Sequence, residues 1–176
     1  MLNILKSFKK LFLIAITLYT LSIIFGYFIG MYFPIGEIDD NTTLTSNPFV
    51  YFNHNIVALL YFLSGLVTFG LGSIYNLLLN GTLLGVAIES LTAKTSFWVA
   101  ILHILPHAVF EIPALLLAGG LGLLPIKWFY NFLKGNKRVH IRWIQLFKLG
   151  CVMICLLLLA GFSEAWLTPY IIKLIS

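Results

Sequence analysis

Charge is what this chain has least of. Only 10% of its residues are Asp, Glu, Lys or Arg, where soluble globular chains carry about a quarter. That excludes an ordinary water-exposed surface and leaves no room for a second soluble domain. Cysteine is equally sparse: Cys151 and Cys155 stand four apart inside an apolar run, where a helix keeps them from disulfide geometry. Catalytic signatures are missing too. There is no H-E-x-x-H metalloprotease motif, no G-x-S-x-G nucleophile elbow and no phosphate-binding G-x-x-x-x-G-K-[ST] loop. No repeat of 20 to 50 residues and no coiled-coil seam is present.

Apolar residues are what remains: 60% of the chain, with a mean hydropathy of +1.00. These values define an integral membrane protein, all-α, built as a polytopic helical bundle. The first long apolar run, Leu11 to Phe33, holds 23 uncharged residues. It exceeds the core of a signal peptide, about 7 to 15, and ends in bulky residues, so it is expected to stay attached. The net charge of +5 does not call for nucleic acid, because most basic residues flank apolar runs and follow the orientation rule for membrane proteins.

Five spans are expected, near 11–33, 51–71, 74–91, 97–124 and 146–170, in a single membrane domain covering 1–176. Lys6, Lys9 and Lys10 precede the first span, favouring a cytoplasmic N-terminus and a multi-pass protein of the cell membrane. The segment after it holds Glu37, Asp39 and Asp40 without Lys or Arg, and reads as an outer loop. Its sequon at Asn41 would matter only in a glycosylating secretory route. Residues 125–143 carry Lys127, Lys134, Lys137, Arg138 and Arg142 and read as a basic cytoplasmic loop. With Lys148 they leave only Lys94 and Lys173 outside. Spans two and three, joined by Gly70, Gly72 and Ser73, either cross fully or form a re-entrant pair.

Span four is the stretch around which the others are organised. Its His103, His107 and Glu111 recur every fourth residue, each step moving about 40° around and 6 Å along a helix, so they share a face. Pro106 and Pro113 remove backbone donors, freeing the carbonyls of Leu102 and Val109, and a kink is expected. Freed carbonyls and ionisable groups persist in a bilayer only where protein or a wet cavity receives them.

Three carboxylates, Glu89, Glu111 and Glu164, fall inside spans. Each costs roughly 2.5 to 3.5 kcal/mol at mid-membrane if charged and alone, so partners or protons must offset them. Depth counted at about 1.5 Å per residue puts His103 roughly 9 Å, His107 roughly 15 Å and Glu111 roughly 21 Å below the outer surface, with Glu89 and Glu164 both near 8 Å. A polar cluster of Asn53, Asn55, Glu89, His103, His107 and Glu164 in the outer half is therefore expected, with Asn80 at a close helix contact. Three readings stay open. These groups bond helices to one another, or His103, His107, Glu111 and Glu164 hold a divalent metal such as zinc, or they pass a proton or ion. Glu111, at depth, can also carry its proton and donate to a freed carbonyl.

Small residues form a second pattern. Gly26 and Gly30, Gly81 and Gly85, and Ala114, Ala118 and Gly122 are spaced by four, which allows close helix approach either within one subunit or across a homodimer. Lys127, Trp128, Phe129, Tyr130 and Lys134 read as an interfacial anchor near anionic lipid.

The ordered set formed by Asn53 and Asn55, Gly65, Asn80-Gly81 with Gly85, Pro106-His107 with Glu111, and Glu164 followed by Thr168-Pro169 resembles the stage II sporulation protein M family over about Asn53 to Pro169. Ala108 stands where that family usually has glycine. The resemblance implies a multi-span helical membrane protein acting as a non-enzymatic scaffold or assembly factor. In spore formers the namesake works with partner proteins that remodel peptidoglycan, the hydrolytic domains belonging to the partners. Partners implied are the lipid bilayer and a homo-oligomer or membrane protein complex. The alternative is a small ion, proton or solute transporter or channel using the same cluster.

Overall fold

The computed structural model describes residues 3–33, 46–135 and 143–175. Every regular element among them is helical: α1 (Asn3–Tyr32), α2 (Pro48–Leu63) with a 3-10 turn at Ser64–Leu66, α3 (Leu71–Lys94), α4 (Phe97–Gly122), α5 (Leu124–Leu133), α6 (Trp143–Phe162), a π turn at Ser163–Leu167, and α7 (Thr168–Ile175). The calls on Glu37, Asp39, Asp40, the sequon at Asn41, Lys137, Arg138 and Arg142 lie outside the described residues.

Helix starts follow local chemistry. Asn47 Oδ1 accepts the Phe49 N–H at 3.0 Å, with Pro48 in the first turn, where its missing donor costs nothing. Ser96 Oγ accepts the Val99 N–H at 3.4 Å and opens α4. Between α2 and α3 the chain reverses through Phe69 and Gly70, at φ 51° and 87°. Glycine takes this left-handed conformation freely, whereas phenylalanine pays about 1 kcal/mol.

Among the described residues five helical stretches are long and apolar enough to cross a membrane: Phe8–Tyr32, Pro48–Leu66, Leu71–Lys94, Phe97–Leu133 and Trp143–Leu174. The third is longer than the sequence reading of 74–91. At 24 residues it extends about 36 Å, more than a hydrocarbon core of about 30 Å. The expected loop at 125–143 also changes character. Its first part is helix α5, with Pro125 in the first turn and no breaker before Gly135 at φ 75°. The charge there suggests a loop, but most of the residues between are helix formers or aromatics that a helix accepts.

The most apolar window of the fourth stretch is 61% buried inside the protein, against 22–28% for the other four. α4 is therefore the axis, touching α1, α2, α3, α6 and α7. Ala114, Leu115, Ala118 and Leu121 on α4 pack with Ala15, Leu59, Phe62, Leu77 and Leu157 from four surrounding helices. Pro106 and Pro113 lie within α4 without ending it. Outward faces carry Phe25, Phe28, Leu60, Leu83, Val109 and Leu159, all exposed, as expected where lipid is the solvent.

The closest helix pair is α1 with α3. A Cβ on Gly26 would stand 2.7 Å from the Thr82 carbonyl carbon, and one on Gly85 would stand 2.7 Å from the Tyr27 nitrogen and 3.0 Å from the Gly26 carbonyl carbon. The two glycine patterns thus meet each other inside one chain. A second junction joins α2, α3 and α4: a Cβ on Gly65 would reach within 2.7 Å of the Gly122 carbonyl, and one on Gly122 would come equally near that of Phe62. The buried Ser73 hydroxyl fills this junction and donates to the Phe62 carbonyl.

Candidate functional site

Helix directions decide which polar groups can meet. The start of α2 touches the end of α6, where a Cβ on Gly161 would lie 2.7 Å from the Pro48 carbonyl, and the end of α2 meets the end of α4 at Phe62 and Gly122. So α2 and α4 run the same way and α6 runs against them. Side chains lean toward the N-terminus of their own helix, which makes Glu111 on α4 and Glu164 beyond α6 lean toward one another. Cα depth alone places Glu164 level with His107, in keeping with the Ser163 bond to the Pro106 carbonyl, and the lean brings its carboxyl toward Glu111. In the structure the electrostatic neighbours of Glu111 are Glu164 and, from α1, Tyr19.

Glu164 is carried on a wide turn. The Thr168 N–H reaches back five residues to the Ser163 carbonyl, and the Thr168 hydroxyl donates to the same oxygen at 3.3 Å. Pro169 follows, whose ring would crowd the carbonyl four residues before it in a regular α-helix; a π expansion relieves that contact, and such turns favour functional positions. The turn is tied to α4 by the buried Ser163 hydroxyl, which donates to the Pro106 carbonyl at 2.6 Å. Replacing Ser163 with alanine is expected to cost about 1 kcal/mol, in the range measured for interhelical bonds within membranes. Thermal unfolding in detergent reads this; an unchanged midpoint would show that the bond contributes nothing.

The remaining candidates separate. His103 Nδ1 lies 2.8 Å from the Val99 carbonyl; because a carbonyl only accepts, the ring proton sits on Nδ1 and this histidine is bonded within its own helix. His107 Nδ1 and Asn55 Nδ2 are buried and have no hydrogen-bond partner among the described residues, Asn55 being only 2% exposed. Asn53 is exposed on α2. Asn80 donates to the Asn76 carbonyl on its own helix at 3.1 Å. Asn76, not singled out from sequence, donates across to the Tyr61 carbonyl at 3.2 Å. Glu89 faces α1, its Oε2 2.9 Å from where a Cβ on Gly30 would lie, in the groove that the missing side chain leaves.

Among the described residues no three of His, Cys, Asp and Glu form a group able to hold a metal ion. His103, His107, Glu111 and Glu164 are thus not gathered into one such group. Tyr19 and Ser163 carried no sequence signal, since a tyrosine or serine in an apolar run reads as ordinary packing. Their roles depend on which helix lies opposite.

A bundle of five membrane-length helices, with polar side chains turned inward onto a proline-bearing central helix, defines a polytopic α-helical membrane protein. Within that class the chain belongs to the stage II sporulation protein M family, whose sequence profile matches residues 9–169. It is similar to an uncharacterized protein of the archaeon Methanocaldococcus jannaschii, 34% identical over 169 residues, which cover 90% of this chain and 94% of that one. No solved structure matches.

Proposed function

We propose that the protein is a non-enzymatic scaffold or assembly factor of the cell membrane, its N-terminus cytoplasmic, working as a homo-oligomer or within a membrane protein complex. What supports this reading most is where its intramembrane hydroxyls and amides are directed. Ser22 reaches the Leu77 carbonyl at 3.2 Å, joining α1 to α3; Ser73 and Asn76 join α3 to α2; Ser163 joins the π turn to α4. Polar groups committed to neighbouring helices stiffen a bundle, whereas groups lining a permeation path must stay open to water or ions. Membership of the sporulation protein M family points the same way. Since Gly26, Gly30, Gly81 and Gly85 are occupied within one chain, the assembly surface lies on other faces.

A second reading, proton or ion passage, draws on one observation: Glu111 lies within electrostatic range of Glu164 and Tyr19 while the His107 ring nitrogen lacks a partner among the described residues. Reconstitution separates the two. Liposomes containing the scaffold should hold a pH gradient as long as protein-free liposomes do, and cross-linking in native membranes should yield a discrete, stoichiometric adduct. A leak abolished by Glu111→Gln would overturn the scaffold reading.

A further inference from the structure

We propose that Lys10 and Lys127 form a site for the phosphate headgroup of one anionic phospholipid. The two lysines come from distant parts of the chain yet lie within electrostatic range of each other. Neither has a carboxylate partner among the described residues. Two like charges near each other attract an anion, and basic groups near a membrane surface take lipid headgroups.

Both lysines ride on firmly placed helices. α5 turns off α4 at Leu123 and is fixed on one side by Ile126, which packs against Gly70 in the α2 to α3 turn. Trp128, partly buried, packs against the core. On the other side α1 approaches α4 closely, a Cβ on Gly120 falling 3.3 Å from the Phe12 Cα, so Lys10 is held near the base of α5.

A lipid suits the surroundings better than a soluble phosphate. Phe129, Tyr130, Phe132 and Leu133 are exposed along α5 at 54–70%, and Phe8 and Phe12 stack on α1 with ring centroids 6.3 Å apart. These aromatic and aliphatic surfaces offer acyl chains a bed beside the charged pair, and Lys134 covers the Tyr130 ring at 4.6 Å. The site rests on the membrane placement of the bundle but not on the scaffold role. Lipid binding is also measured without reference to which leaflet faces the cytoplasm.

The test is native mass spectrometry of the full chain, released from detergent containing phosphatidylglycerol and phosphatidylcholine in equal amounts. One phosphatidylglycerol per chain should be retained in preference. Retention should fall roughly fivefold with Lys10→Gln or with Lys127→Gln, and further in the double variant, following the usual contribution of a basic residue at a membrane surface. Lys127→Arg should keep it, which controls for folding, and Lys94→Gln with Lys173→Gln should leave it unchanged. Equal retention by the double variant, or equal loss in the Lys94 and Lys173 variant, would overturn the site. Displacement of the lipid by inorganic phosphate at matched concentration would overturn the lipid assignment.

Discussion

Gly85→Leu will separate α1 from α3 and cost about 3 kcal/mol, the upper range for overpacking a tight core. The reason is the kind of atom met. The first substituent carbon would stand 2.7 Å from the Tyr27 nitrogen and 3.0 Å from the Gly26 carbonyl carbon, and backbone cannot rotate aside. Gly26→Leu should behave alike, for it meets the Thr82 backbone. Gly30→Ala should cost less, because its near atoms belong to the Glu89 side chain, which has other rotamers. Gly150→Ala, with nothing within 4 Å of the new Cβ, should be neutral or slightly stabilising through helix propensity. Melting midpoints and size-exclusion profiles in one detergent rank the set. If Gly85→Leu proved as stable as Gly150→Ala, the two helices would not be in backbone contact.

This gradation also marks what a sequence can disclose. The four-residue spacing of Gly26 with Gly30 and Gly81 with Gly85 predicts close approach, but the spacing carries no address: a homodimer and an internal pair look the same until α1 and α3 are seen side by side. Likewise the stripe of His103, His107 and Glu111 follows from helical periodicity alone, while its companions do not. Tyr19 comes within electrostatic range of Glu111 because α1 packs on α4, and Glu164 does so because antiparallel helices tilt their side chains toward each other. Such facts depend on packing direction, which topology can supply only once partners are known. Depth counted along each axis agrees with the Ser163 bond to the Pro106 carbonyl, which holds the Glu164 backbone level with His107, but it leaves out the direction in which each side chain leans. Helix α5 is hidden for a different reason: its lysines suggest loop charge, while their aromatic and aliphatic neighbours favour a helix.

The electrostatic proximity of Glu111 and Glu164 leads to the other large expected effect. Glu164→Lys should fold while Glu111 is present, because the new ammonium acquires a carboxylate within electrostatic range. The same change combined with Glu111→Gln should lose about 3 kcal/mol more than the single changes predict, the cost of stranding a charge away from water. Glu111→Gln alone should be tolerated within about 1 kcal/mol, since an amide has nearly the same shape and brings no charge into the membrane. Marked loss of detergent stability at neutral pH would count against that. A double-mutant cycle on melting free energies reads the coupling, and additivity within about 0.5 kcal/mol would mean that the two side chains do not face one another. The swapped chain also divides the functional readings. An ion pair at this position can still brace α4 against the π turn, so a scaffold should keep its cross-linked partners. A proton path that needs both carboxyls to exchange hydrogen would be blocked by the same substitution.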